Sequence, residues 1–323
     1  MTDINIENIK AALPNLVHNP PNQGSDEWLE WRKSGITATE AAIIMFPGSF
    51  GRTPLRLYTD KLGITTPDQS DSEGYMEWGH RIESLLVDKI METHRDFTGC
   101  VPGQLYENGW MKCSLDAQCI DGEGKPVIIE CKTGQTSSKW NPVPELYYAQ
   151  VQWQMHVSGI RRAYFSVLIS GHQWFERVVD YSQDFVDRML ERCALFWKCL
   201  CDRTPPAKLG FFAGDKEPIA ALAGESGHGG PAAEVDEDTV SRYALLKEAA
   251  DKADRELAEF KSELSFRMVD ASGLSYKGRK FASWVERKGT VTVDTARLKA
   301  EFPDAYAACQ KQGKGTRYVK FAV

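Results

Sequence analysis

Three ionisable residues stand at a spacing that could hydrolyse a phosphodiester. They are Asp116, in Ser114-Leu115-Asp116, and Glu130 and Lys132, in Ile129-Glu130-Cys131-Lys132. A strand turns successive side chains to opposite faces. Glu130 and Lys132 therefore project into the same space, while Val127, Ile129 and Cys131 point the other way into an apolar layer. Asp121-Gly-Glu-Gly124 reads as a turn, so a hairpin brings Asp116 alongside Glu130. Two clustered carboxylates repel each other unless a cation neutralises them. All-oxygen donors at an open site suit Mg²⁺ or Mn²⁺ rather than zinc. Such an ion lowers the pKa of a bound water and stabilises the phosphate during displacement. Lys132 beside it can orient or deprotonate that water, or neutralise charge developing on the phosphate. The competing reading is a solvated surface strand. The run Val127-Ile-Ile-Glu-Cys131 weighs against it, because burying an unpaired charge is costly.

The elements that must position these groups are legible around them. Residues 109–120 read as one strand and residues 126–133 as the next, rich in Val and Ile. Pro144 opens a helix that Gly159 closes, and its Tyr147, Gln150 and Gln154 lie three or four residues apart, on one face. Residues 161–169 and 172–179 read as further strands and residues 182–202 as a helix. Upstream, Ser25 or Asp26 caps a short helix closed by Gly35. Thr37-Ala-Thr-Glu40 reads as a capping box opening a second. A third helix over residues 76–93 carries Trp78, Ile82, Leu85, Leu86 and Ile90 as its apolar set, and Glu83.

The chain has 323 residues, enough for about two domains. Hydrophobic residues make up 42% and charged residues 26%, which is ordinary globular usage. No run approaches a membrane span, and the first residues lack the basic-then-apolar order of a secretory signal; the expected location is the cytoplasm. The net charge of −6 argues against passive coating of nucleic acid. It hides a basic end: residues 273–323 hold 11 Lys and Arg against 4 Asp and Glu. The eight cysteines, at 100, 113, 119, 131, 193, 199, 201 and 309, include no Cys-x-x-Cys pair. Reduced thiols are expected, with an iron–sulfur or zinc site as the minor alternative.

Four motifs in order carry a resemblance: WRKSGITATEA, EWGHRIE, SLDAQCIDGEGKPVIIECK and YYAQVQWQMHVSG. Over residues 25–205 the chain resembles the lambda exonuclease and YqaJ-type viral recombinase family, within the PD-(D/E)XK nuclease superfamily. The resemblance implies an α/β fold, a central mixed sheet flanked by helices. It implies a Mg²⁺-dependent exonuclease with two ions, Mn²⁺ substituting, that digests double-stranded DNA ends 5′→3′. The 3′-tailed product passes to a single-strand annealing protein in phage-type recombination, in a bacterial or phage-infected cell. A homotrimeric ring is implied as well. Carried over by motif, Asp116 and Glu130 are metal ligands joined by the Cys131 carbonyl, and Lys132 is the catalytic lysine. Glu83 supports the metal site, Gln150 positions water or phosphate, and Arg32 and Thr39 hold a 5′-phosphate. Leu115 stands where the superfamily has its naming proline, Ala117 where glycine is common, and Thr39 where serine is expected. Two other readings stay open: an endonuclease or a CRISPR-associated-type nuclease with an iron–sulfur cluster, and a non-catalytic module that binds DNA ends.

The expected organisation is a nuclease domain over residues 1–205, a linker rich in Gly, Ala and Pro over 206–234, and a smaller C-terminal helical plus strand domain over 235–323. A helix over 236–268 aligns Tyr243, Leu246, Ala250, Leu257, Phe260 and Leu264 on one face. Beyond it, Lys and Arg interleave with Tyr276, Phe281, Trp284, Tyr318 and Phe321. That mixture suits either a nucleic-acid contact or the core of a small domain.

Overall fold

The computed structural model describes residues 15–66, 73–226, 232–286 and 292–311. The chain divides into two compact units, residues 1–228 and 229–323.

The first unit is a mixed sheet between helices. Helices α1 (Asp26–Lys33), α2 (Ala38–Met45), α3 (Pro54–Lys61) and α4 (Glu73–Thr93) precede strands β1 (Thr98–Pro102), β2 (Leu105–Asn108), β3 (Met111–Ser114), β4 (Ala117–Ile120) and β5 (Pro126–Gly134). Then come α5 (Glu145–Ser158), β6 (Arg162–Ile169), β7 (Gln173–Asp180), α6 (Gln183–Cys201) and α7 (Lys216–Ser226). The main sheet runs β1-β4-β5-β6-β7, and β2 with β3 forms a separate ribbon. All neighbours in the main sheet are antiparallel except β5 and β6. That parallel pair needs a crossover, and α5 supplies it.

β5 is central and apolar on both faces, as a strand covered on both sides must be. Ile128 joins the core that includes Ala149, Val151 and Trp153 of α5. Val127 and Ile129 join Val87 and Ile90 of α4. The single strand expected over 109–120 is two strands in two different sheets, broken at Leu115 and Asp116. β3 turns away to pair with β2, and β4 pairs with β5.

α4 buries Leu86, Val87 and Ile90, whereas Trp78 and Leu85 are exposed, against expectation. Leu85 lies one residue off the buried stripe, about 100° around the helix. The segment expected as a linker from residue 206 is instead folded as far as Ser226: two 3-10 turns lead into α7. Leu209 and Asp215 are buried there. Asp215 accepts a hydrogen bond from the Thr53 hydroxyl, and Arg56 pairs with Glu217 at 2.6 Å. No helix among the described residues is long and apolar enough to cross a membrane.

In the second unit, α8 (Glu237–Phe266) precedes a hairpin of β8 (Gly273–Tyr276) and β9 (Arg279–Ser283), then α9 (Thr295–Glu301) and α10 (Pro303–Ala308). α8 buries no residue. Its expected apolar face is present, but Leu246, Leu257 and Phe260 are exposed. The strand-like run expected over 317–323, with Tyr318 and Phe321, lies outside the described residues.

Candidate active site

The site is assembled at the carboxyl-terminal half of β5. Glu130 faces the α5 side of the sheet and is 1% exposed. A buried helix would normally be apolar there, but α5 presents two amides instead. Gln150 Nε2 donates to Glu130 Oε1 at 2.7 Å, and Gln154 Nε2 donates to Oε2 at 2.8 Å. Lys132 Nζ donates to Oε1 from the same face of the strand. One carboxylate thus takes three donors, which is how a buried charge is held. The Lys132 ammonium also lies 5.2 Å from the centre of the Tyr147 ring.

Asp116 arrives from the break between β3 and β4. Its Oδ2 accepts the backbone N–H of Cys131 at 2.7 Å. That bond ties it to the residue between Glu130 and Lys132. Gln154 Nε2 also donates to the Ser114 carbonyl at 3.1 Å, so one side chain spans both carboxylate-bearing segments. Glu83 reaches the cluster from the opposite helix. The Cys131 thiol donates to the Glu83 carbonyl at 3.6 Å, and the Glu83 carboxylate lies 3.5 Å from His80 Nδ1.

The electrostatics follow from this crowding. Burial and then the Glu130 charge hold the Asp116 carboxyl well above the usual range, with Lys132 opposing them. Burial also raises Glu83, which feels Glu130 and Lys132. Lys132 is pulled both ways: burial alone would lower it, but Glu130 and Asp116 outweigh that and raise it. The lysine is therefore an ammonium ion. Three carboxyl groups share one ammonium, and the Gln154 Oε1 acceptor is buried without a partner among the described residues. Asp116 and Glu130 offer carboxylate oxygens of the kind a hard cation takes. Among the described residues no three His, Cys, Asp or Glu side chains form a complete cage, so a backbone oxygen or water must complete any shell. Cys113 and Cys193 lie in the core on the α5 side, and Cys119 lies in the core on the α4 side, with Cys100 and Cys131 packed against that cluster.

Arg32 and Thr39 sit apart from this cluster and make no hydrogen bond or ion pair to it among the described residues. Arg32 lies in the last turn of α1, and its guanidinium lies 4.6 Å from the centre of the Trp28 ring. Burial lowers its pKa, and neighbouring Arg52 adds to that against Glu40. No carboxylate pairs with it among the described residues. Thr39 lies in the first turn of α2, where Glu40 accepts the Thr37 N–H at 2.8 Å. The link between the α1–α2 corner and the cluster is the backbone. Ile36 N–H donates to Trp110 at 2.7 Å, and Lys112 N–H returns to Ile36 at 2.9 Å. Only glycine permits that approach at position 35, where a Cβ would lie 2.4 Å from the Trp110 oxygen. The corner is therefore fixed to β3, the strand that leads into Asp116.

Gln154 shares a helix face with Tyr147 and Gln150, and its hold on Glu130 is a role that its position on that face does not by itself assign. The signal was its spacing four residues after Gln150, on a helix that the structure shows to be buried on nearly every side.

A mixed five-stranded sheet between helices, with Glu130 and Lys132 on its central strand and Asp116 bonded beside them, defines the class: an α/β protein. Residues 27–161 match the YqaJ-like viral recombinase domain. The uncharacterized protein YqaJ of Bacillus subtilis (strain 168) is 26% identical over 314 residues, covering 92% of this chain and 93% of that protein. That alignment takes in most of the second unit as well. Among solved structures, an alkaline exonuclease from Laribacter hongkongensis is similar with a TM-score of 0.44 and 18% identity, over 55% of this chain and 94% of that one. A phage-related exonuclease from Haemophilus somnus 129PT is similar with a TM-score of 0.37 and 13% identity, over 57% and 89%.

Proposed function

We propose that this chain is a Mg²⁺-dependent deoxyribonuclease that digests linear double-stranded DNA 5′→3′ and leaves 3′ single-stranded tails for recombination by strand annealing. The observation that carries the reading is the convergence of Asp116, Glu130 and Lys132 at the carboxyl-terminal half of β5, with Gln150 and Gln154 clamping the buried Glu130. The match of residues 27–161 to the YqaJ-like viral recombinase domain supports it.

Asp116, Glu130 and the Cys131 carbonyl would hold Mg²⁺ or Mn²⁺, which supplies charge stabilisation and a more acidic water. The chain's own groups divide the remaining work. Lys132, held as an ammonium, orients the attacking water and offsets charge on the phosphate rather than taking a proton. Gln150 and Gln154 keep the Glu130 carboxylate in one orientation, which fixes where the phosphate must lie. Glu83 adds negative potential that strengthens the cation site. Arg32, stacked on Trp28 and free of a carboxylate partner among the described residues, offers its planar fork to a terminal 5′-phosphate, with Thr39 near a helix N-terminus. Hydrolysis forms a phosphorus–oxygen bond from water and breaks the bond to the 3′ oxygen, which takes the proton.

The test uses linear duplexes and closed circles of one sequence, with Mg²⁺ and with chelator. Nucleotide release from linear DNA alone, lost with chelator, is the expected result. Equal cutting of closed circles contradicts the exonuclease reading.

A further inference from the structure

We propose that the β8–β9 hairpin of the second unit is a binding surface for single-stranded DNA. The proposal rests on the nuclease reading only for the source of the strand, the 3′ tail that digestion leaves.

The hairpin is built to display side chains rather than to bury them. Lys277 and Gly278 both have positive φ, 48° and 74°. That is the two-residue turn whose twist suits a tight hairpin. Tyr276 stands directly opposite Arg279, and Ser275 opposite Lys280. Between Leu274 and Ser275 the register skips a residue, so Phe281 has no partner across the ladder and sits in a bulge. Tyr276, Phe281 and Trp284 are 66, 64 and 62% exposed. Trp284 is anchored by its Nε1, which donates to the Met268 carbonyl at 2.9 Å.

These rings are not the core of the small domain. Among the described residues of the second unit, Met268 is the one buried hydrophobic. What the rings accompany is positive charge. A groove of about 400 Å³ is lined by Tyr276, Lys277, Arg279, Lys280 and Phe281. From Gly273 to Val285 there is no Asp or Glu. The Lys277 ammonium lies 5.3 Å from the Tyr276 ring centre.

Cations alone would fit any phosphate backbone. Exposed aromatic faces beside them select a strand whose bases are unstacked, because duplex bases offer no free face to stack on. The occupant is therefore single-stranded DNA, held at phosphates by Lys277, Arg279 and Lys280 and at bases by Tyr276 and Phe281.

The experiment measures anisotropy of fluorescein-labelled oligothymidylate with the full-length protein in chelator, so that nothing is cut. The wild type is compared with the triple variant K277E/R279E/K280E and with Y276A and F281A. The triple variant should bind at least about tenfold more weakly, with the slope of log affinity against log salt shallower by about 2. Each aromatic variant should lose about fivefold or more. All should keep wild-type nucleotide release from short linear duplexes, which reports an intact first unit. Unchanged oligothymidylate affinity in these variants overturns the proposal, as does an equal loss for blunt duplex and single strand. Absence of nucleotide release with hairpin-dependent binding retained defeats the nuclease reading and leaves this one standing.

Discussion

The Cys131 N–H and the Asp116 carboxylate meet at 2.7 Å, a direct bond between the two halves of the site. It fixes a side chain from the β3–β4 break to the strand position between Glu130 and Lys132. Asn at position 116 can still accept this bond while removing the charge. Asp116→Asn should therefore fold normally by circular dichroism and lose roughly a hundredfold or more in nucleotide release, since the charge serves the chemistry and the hydrogen bond serves the fold.

Gln154 holds Glu130 and the Ser114 carbonyl together. Gln154→Ala takes a donor from the buried Glu130 carboxylate and from the part-buried Ser114 carbonyl, which costs about 1–3 kcal/mol. Urea unfolding should show that loss. Gln150→Ala removes one bond to Glu130 and should cost less stability, because Lys132 still reaches the same oxygen.

Proton uptake should accompany the metal-free state. Burial and Glu130 raise the Asp116 pKa, so the folded chain holds its proton to higher pH than the unfolded chain, whose carboxyls titrate near about 3.9. Folding is then favoured below that value, and the contribution is lost as pH rises towards the folded pKa. A bound cation reverses the preference by favouring the carboxylate. Mg²⁺ binding should release protons and tighten as pH rises through the raised pKa. Titration calorimetry in two buffers of different ionisation heat checks the sign. Proton uptake on binding would contradict it.

The Arg32 guanidinium rests on Trp28 and meets no carboxylate among the described residues. Arg32→Ala should lower cleavage of 5′-phosphorylated ends about tenfold, the loss of a charge-assisted pair, and leave 5′-hydroxyl ends nearly unchanged. Equal effects on the two ends would remove the phosphate role from this residue.

The alternation in Val127-Ile-Ile-Glu-Cys-Lys132 was enough to place Glu130 and Lys132 on one face, because a strand's period leaves no other choice. The Pro144 and Gly159 boundaries of α5 were legible for the same local reason: Pro144 caps its start, and Gly159 ends it at φ 81°. The break at Leu115 and Asp116 was not legible. It depends on β3 pairing with β2 while β4 pairs with β5, a choice made by distant partners. The α8 stripe shows the same limit from the other side. Its period announces a face, but what covers a face is not written in the helix, and Leu246, Leu257 and Phe260 are exposed. The Gly- and Ala-rich stretch after residue 206 reads as a linker by composition, yet Asp215 bonded to Thr53 holds it to the first unit.

The central claim is that Asp116, Glu130 and Lys132 form one hydrolytic centre, and Lys132→Ala tests it most directly. Nucleotide release from a 5′-phosphorylated linear duplex is measured with Mg²⁺ for the wild type and the variant, both shown to be folded. A loss of about a hundredfold or more is the predicted result. Release at the wild-type rate would contradict the account.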